Sequence, residues 1–451
     1  MMGDALLKVG DRVRLRLESL AAGGEAVGRH EGMAVFALWG CPGDLAEVEI
    51  TEVARRFARG AVREVVSASS DRVEPPCPHF GECGGCQLQH ISYQAQLRHK
   101  TALVREALAR IGGMSGIDVQ AAWGMEEPWR YRGRARYHGQ VGQSGELALG
   151  FTRHHGHEIV AVKECGIQHP LSEKIRELLV TSMARVAQGA RERAALLEVE
   201  TLVSLASGRG LVTLVCEGRP PFVQSLAHAL MEEAPDVAGV LVSRKRGRGA
   251  LHRAPAELIA GSAHVEEKLA GASYRVSADS FFQSNPAQAE RVIGLVREWA
   301  EVSRKDVVLD LYTGVGTVLL PLAVGAKRAI GVEADASALS DARANVRAWG
   351  LGNVDLYERR AERLLPHLVD RGWRADVVVM DPPRKGCGRI VCAAVAKLQP
   401  RRIILISCDP ATLARDLKSL AEQGYRVVRV QPVDMFPQTW HVEAVALCER
   451  M

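Results

Sequence analysis

From about Ser280 to the C-terminus, short apolar runs alternate with helical patterns, and no other feature limits the fold of this chain so strongly. The runs at 307–311, 329–332, 376–380 and 403–406 are largely continuous in apolar character. Strands covered on both faces have that character. Helical patterns lie between them, and such alternation means a parallel sheet with helices on both sides. Asn285-Pro286 reads as an N-cap followed by a proline at the first helical position, opening a helix to about Ala300. The last two runs, 425–430 and 441–448, have no helix between them and are expected to close one sheet edge as an antiparallel pair.

The N-terminal part follows a different period. Val13, Leu15 and Leu17 alternate with Arg12, Arg14 and Arg16, as in a half-buried strand. Gly23-Gly24, Gly28, Gly32 and Pro42-Gly43 then punctuate at turn spacing. About five short strands over 5–66 fit a small closed barrel of OB type. Pro75-Pro76 breaks the chain, and an amphipathic stretch from Tyr93 to Ile111 ends at Gly112-Gly113. Residues 120–270 mix strand-like pieces at 211–216 and 237–242 with a helical pattern at 173–187. The expected organisation is multidomain: an OB-like β-barrel over 1–70, a central α/β domain over 71–270, and a Rossmann-like α/β domain over 271–451.

Composition narrows the class. Of 451 residues, 47% are hydrophobic, which excludes a mostly disordered chain. No apolar run approaches the ~18–20 residues of a membrane span. Met1-Met2-Gly3-Asp4 brings an early acid and no apolar segment, so a cytoplasmic protein without a secretory signal is expected. In that compartment, closely spaced cysteines point to metal or catalysis before disulfides. A net charge of +5 permits an anionic partner without demanding one. Arg130, Arg132, Arg134 and Arg136 interleave with Trp129, Tyr131 and Tyr137, and a second cluster runs from Arg244 to Arg253. Such clusters pair with phosphates and stack on bases, or form solvated faces.

The chemistry is carried by the loops after the apolar runs. Asp310-Leu311-Tyr312-Thr313-Gly314-Val315-Gly316-Thr317 follows the first run. Gly314 and Gly316 let the backbone approach a ligand without a Cβ clash. Leu319 stands where a dinucleotide fingerprint needs a small residue, which disfavours NAD. No Lys-Ser/Thr follows, so the loop is not a phosphate-binding P-loop. Glu333 ends the next run, where an acid accepts hydrogen bonds from both ribose hydroxyls. S-adenosylmethionine sites share that pattern with Rossmann sites; a nucleotide site and a structural turn are the other readings. Asp381, in Asp381-Pro382-Pro383-Arg384, sits at a strand end beside the ligand crevice.

Cys408, in Ser407-Cys408-Asp409-Pro410, lies at the carboxyl end of a central strand, on the rim that carries Gly314 and Asp381. Its thiolate is the candidate nucleophile. Glu443, in an otherwise apolar terminal strand, is the candidate base; the alternative is a solvent-side alternation residue. A thiolate, an acid and S-adenosylmethionine suit one reaction. Carbon 5 of a pyrimidine becomes nucleophilic after thiolate addition to carbon 6, takes the methyl group, then loses its proton as the thiolate leaves. Cytosine enzymes place a cysteine beside proline in the loop after the fourth strand, where this chain has Asp381-Pro382-Pro383-Arg384, so uracil is favoured.

Cys77, Cys83 and Cys86 form C-x5-C-x2-C, with Gly84-Gly85 allowing a tight turn, and Cys165 is the best fourth ligand by context. This set points to a metal and leaves zinc and a 4Fe–4S cluster both open.

Taken together these residues resemble the RNA (uracil-5-)-methyltransferase family, on its iron–sulfur-containing branch with an N-terminal TRAM domain. The resemblance rests on the barrel, the four cysteines, Phe281-Phe282-Gln283-Ser284-Asn285, the glycine loop, Asp381-Pro382-Pro383-Arg384, Ser407-Cys408-Asp409-Pro410 and His441-Val442-Glu443. It implies a 4Fe–4S cluster on Cys77, Cys83, Cys86 and Cys165, and S-adenosylmethionine contacts from Gln283, Tyr312, Glu333 and Asp381. It implies that Phe281 stacks on a target uracil flipped out of the RNA. Ribosomal RNA is the favoured partner, with transfer RNA the alternative, and the chain is expected to act as a monomer. Ser284 and Thr317 depart from the residues frequent in the family at those places. Two other classes compete: an RNA-binding protein with a degenerate methyltransferase domain, and a redox protein using the cluster.

Overall fold

The computed structural model describes residues 7–245 and 254–451; residues 246–253 of the second arginine cluster lie outside the described residues. Strands β1 (Arg12–Leu20), β2 (Ala26–His30), β3 (Met33–Leu38), β4 (Leu45–Val53) and β5 (Phe57–Ser67) close a barrel in the order β1-β2-β3-β5-β4. Leu15 and Leu17 point into it, as their alternation with arginines required. The barrel is fastened to the chain that follows. Asp44, fully buried, accepts from the Arg72 guanidinium at 2.6 Å, and Leu20 and Cys41 share a small core with Leu88, Ile91, Ala95 and Trp440.

After the cysteine segment come α1 (Tyr93–Arg110) and the two-residue strand β6 (Asp118–Val119). A second sheet is built from β7 (Arg134–Val141), β8 (Leu147–Thr152), β9 (Ile159–Ala161), β10 (Leu196–Val203), β11 (Gly210–Cys216), β12 (Val237–Arg244) and β13 (Glu257–Gly261), in the order β13-β12-β11-β10-β7-β8-β9. Helices α2 (Pro170–Val186) and α4 (Phe222–Glu233) pack on it; α3 (Ala190–Arg193) is a single turn between α2 and β10. A hairpin, β14 (His264–Leu269) and β15 (Ala272–Ser277), leads to the last domain.

There α5 (Pro286–Ala300) precedes β16 (Val307–Leu311), α6 (Leu319–Ala323), β17 (Arg328–Glu333), α7 (Ala336–Ala348), β18 (Val354–Glu358), α8 (Ala361–Asp370), β19 (Val377–Met380), α9 (Gly388–Lys397), β20 (Arg402–Ser407), α10 (Pro410–Ala421), β21 (Tyr425–Val433) and β22 (Glu443–Arg450). The sheet order is β18-β17-β16-β19-β20-β22-β21-β6. The first five of these strands run parallel, and β22 runs antiparallel to both neighbours. The expected closing pair is therefore present, with one correction. It is not the outermost element, because β6 pairs in parallel with β21 and covers its free backbone groups. Strand β18 escapes a reading by apolar runs because it is half-exposed along its length, as an edge strand can be. Helix α1 packs against α10 and shares the core of this sheet through Val104 and Leu108.

Candidate active site

The carboxyl ends of the parallel strands form one rim. Where β16 stops, the backbone of Tyr312 turns to φ +67°, and its N–H and that of Thr313 both donate to the Val332 carbonyl, at 2.9 and 3.1 Å. The left-handed turn, unusual for a bulky residue, bends the glycine loop over the end of β17. Gly314 (φ +56°) and Gly316 (φ +93°) continue it. The Gly314 N–H donates to the Glu333 carboxylate at 3.0 Å, and Ala334 and Asp335 N–H groups donate to its other oxygen at 2.6 and 2.8 Å. Asp310 beneath the loop accepts from Thr313 at 2.6 Å, and burial pushes its carboxyl up to about 7.

Cys408 and Glu443 meet through strand register. Ser407, the last residue of β20, pairs with Ala444 of β22, so the residue after one and the residue before the other adjoin at the rim. Because β22 is antiparallel, its first residue arrives where the parallel strands end. Asp409 then caps α10 by accepting from Thr412 N–H at 2.8 Å, with Pro410 opening the helix. Burial pushes the Cys408 thiol up to about 11; the Glu443 and Asp381 charges push the same way, and Arg384 opposes them. Burial also raises the carboxyls of Glu443 and Asp381, and the Asp381 charge raises that of Glu443 further.

A cavity of about 930 Å³ opens from this rim. Gln283, Tyr312, Gly314, Glu333, Asp381, Cys408 and Glu443 line it, and Gly316 shapes the loop behind without lining it. The Tyr312 hydroxyl is buried with no hydrogen-bond partner among the described residues. Phe281 also lines the cavity, 63% exposed, while its neighbour Phe282 is buried in the core. The segment carrying Phe281 is pinned from two sides. Arg134 donates to the carbonyls of Ser280 and Ala278 at 2.8 and 2.5 Å, and Asp341 on α7 accepts from Ser280 at 2.6 Å.

The four predicted ligand cysteines line the same cavity, and none is in a disulfide. Burial pushes the Cys165 thiol up to about 12 and raises those of Cys83 and Cys86. Among the described residues no three Cys, His, Asp or Glu side chains are drawn together as a metal-ion site, so the compact ligand set expected from spacing is not found. The turn itself is tight. A Cβ on Gly84 would come within 2.9 Å of the Thr152 carbonyl, and one on Gly85 within 3.5 Å of the Cys83 sulfur.

The first arginine cluster divides. Tyr131 and Tyr137 are buried and unavailable to bases, whereas Arg132 and Arg136 line the cavity, Arg136 in an ion pair with Glu200. Residues not singled out in the sequence join them: Phe436, Thr439 and His441 from the loop between β21 and β22, Arg359 and Arg360 just before α8, and Glu362 in its first turn. His441 stands in the same short motif as Glu443; the others give no local signal. No helix among the described residues is long and apolar enough to cross a membrane.

This architecture is found in known proteins. Residues 92–451 match the tRNA (uracil-5-)-methyltransferase family, and residues 6–62 match the TRAM domain. The chain is 38% identical to an uncharacterised RNA methyltransferase of Caldanaerobacter subterraneus subsp. tengcongensis, over 99% of each chain. It is 37% identical to another of Halalkalibacterium halodurans, over 97% of each. The crystal structure of Pyrococcus abyssi tRNA (uracil-54, C5)-methyltransferase in complex with S-adenosyl-L-homocysteine shares the fold, with a TM-score of 0.73 at 23% identity, covering 97% of this chain and 100% of that one. The chain belongs to the S-adenosylmethionine-dependent RNA (uracil-5-)-methyltransferase family and carries a TRAM domain at its N-terminus.

Proposed function

We propose that this enzyme methylates carbon 5 of a uridine in structured RNA through a covalent adduct between Cys408 and carbon 6. The observation that carries the reading is the register that sets Cys408 beside Glu443 at the mouth of the glycine-loop cavity. The exposed Phe281 ring offers a face on which a flipped base stacks. Cys408 first releases its thiol proton to solvent; the thiolate then forms a bond to carbon 6, and the electron pair displaced from the carbon 5–carbon 6 double bond makes carbon 5 nucleophilic. S-adenosylmethionine supplies the methyl group, and its sulfonium supplies positive charge to a site where two carboxyls and a thiol face each other. Glu443 then takes the carbon 5 proton, the double bond re-forms, and the carbon–sulfur bond breaks to return the thiolate. Tyr312, Gly314, Glu333, Gln283 and Asp381 are the proposed cofactor contacts, with Gly316 shaping the binding loop from behind; the Tyr312 hydroxyl, unpartnered among the described residues, and the open space beside Gly314 support that fit.

The cysteine quartet fits a 4Fe–4S cluster by its chemistry: four unpaired thiols on one cavity, on a turn with no room for a Cβ at Gly84. Cys77, Cys83, Cys86 and Cys165 would hold it, and iron would supply the charge that keeps the sulfurs as thiolates. For the RNA, ribosomal RNA remains the first candidate by resemblance of the quartet and barrel. Transfer RNA is the second, since the protein from P. abyssi is named for it.

The deciding experiment incubates anaerobically purified protein with S-adenosylmethionine and unmodified ribosomal and transfer RNA transcripts, followed by digestion and mass spectrometry. 5-Methyluridine in one transcript establishes the reaction and chooses the RNA. Methyl transfer surviving in Cys408→Ala would overturn the covalent route. Glu443→Gln is expected to accumulate a slow-migrating enzyme–RNA adduct.

A further inference from the structure

Glu443 is delivered by the loop 434–442, and its carboxylate makes no hydrogen bond among the described residues. Its position therefore depends on the backbone that leads to it. That backbone is held at one unusual residue. Gln438 is buried, 3% exposed, and adopts φ +70°, a left-handed conformation that is strained for a residue with a Cβ. Its carbonyl accepts two N–H groups, from Gln87 at 3.1 Å and from Leu88 at 3.0 Å. Its own N–H donates to the Gln96 side-chain carbonyl at 3.2 Å, and its side-chain carbonyl accepts from the Gln96 amide at 3.0 Å. Gln96 is fixed in turn by the carbonyls of Leu88 and Ile91, at 3.0 and 2.9 Å.

Every one of these partners lies on the cysteine segment or on α1, and Gln87 directly follows Cys86. The neighbours of Gln438 are held from the same side. Tyr131, packed against Cys86, donates to the Pro437 carbonyl at 3.0 Å, and Lys100 donates to the Phe436 carbonyl at 3.1 Å. Beyond Gln438 the loop is stiffened internally. Thr439 hydroxyl donates to the Phe436 carbonyl at 2.8 Å and accepts from His441 N–H at 3.3 Å, two residues before Glu443.

We propose that Gln438 is a positioning residue for Glu443, and that through it the segment bearing Cys86 sets the geometry of carbon 5 proton removal. This rests on the reading of Glu443 as the base. The step it governs is the last one: Glu443 takes the proton, the double bond re-forms, and the Cys408 thiolate leaves. Addition of Cys408 to carbon 6 does not use Glu443's aim, so the two steps separate when the loop is loosened. A purely structural role would slow both alike.

The test uses the full chain with S-adenosylmethionine and the RNA it methylates, and follows appearance and release of the covalent adduct separately. Gln438→Gly keeps the positive φ and removes the side chain; Gln96→Met removes the partner from the other side with its volume conserved. Both are expected to release the adduct about tenfold more slowly, as small misplacements of a reacting group do, while the adduct forms at the wild-type rate. Unchanged release in both variants, or formation and release falling together, would overturn the proposal. Binding of S-adenosylhomocysteine reports folding, and Gln96→Met decides if Gln438→Gly loses it. Glu443→Gln run alongside separates the two levels. Adduct accumulation there with none in the Gln438 and Gln96 variants overturns only the positioning role. No adduct in Glu443→Gln overturns the base assignment and the positioning role with it.

Discussion

At the scale of single residues, Glu443 carries a cost that its site exploits. Burial first, and Asp381 second, raise its carboxyl above the range it has in an unfolded chain. A raised carboxyl binds its proton more tightly when folded, so its stabilisation is complete below the unfolded value and is lost as pH rises through the folded one. Glu443→Gln has no charge to bury. It is expected to melt higher than the wild type at neutral and alkaline pH, with the gain shrinking toward pH 5; calorimetry across that range checks it. Lys100 and Asp434 form a buried ion pair, with no solvent exposure on either side chain. Lys100→Met leaves Asp434 uncompensated and is expected to cost about 3–5 kcal/mol. Replacing both partners with apolar residues should recover much of that in a denaturant titration.

At the scale of elements, the joints decide how the site is held. Asn285 opens α5 by accepting from Gln288 N–H at 3.3 Å, and the same side chain donates to the Met435 carbonyl at 3.1 Å. One residue thus ends the Phe281 segment, starts a helix and grips the loop that leads to Glu443. Asn285→Ala is expected to cost about 1–2 kcal/mol, the upper part of the range for a lost cap. It should also raise KM for RNA more than it lowers cofactor affinity, which steady-state kinetics beside S-adenosylhomocysteine titration would separate. The β20–β22 register is the other joint. A one-residue slip there would turn the buried side chains of β22 to the opposite face and separate Cys408 from Glu443.

At the scale of the whole molecule, the pieces share cores. The largest hydrophobic cluster runs from Leu202 and Leu241 of the second sheet through the 264–277 hairpin into α5 and the C-terminal sheet. The barrel joins through Asp44–Arg72 and through Leu20 and Cys41 against Leu88 and Trp440. Unfolding is therefore expected as one main transition in scanning calorimetry, without a separate barrel step. Asp44→Ala, which breaks the buried pair, should split off an early transition for the barrel.

How much of this was legible beforehand depends on the range of the interactions. The glycine loop, the Asn285-Pro286 and Asp409-Pro410 caps and the alternating arginines of β1 act within a few residues, so local pattern and spacing suffice to read them. The barrel and the parallel sheet follow from the same periodicities. Register is not local. The pairing of Ser407 with Ala444, the cover of β21 by β6, and the contact of Gln96 with Gln438 join residues that are distant in sequence. Helix α1 has its own amphipathic pattern, but the pattern does not name the surface it packs against. By itself the sequence determined which side chains and turns the molecule has for its chemistry. Only the tertiary structure decided which of them share a cavity, because burial and backbone pairing between distant segments set distances that no local preference encodes.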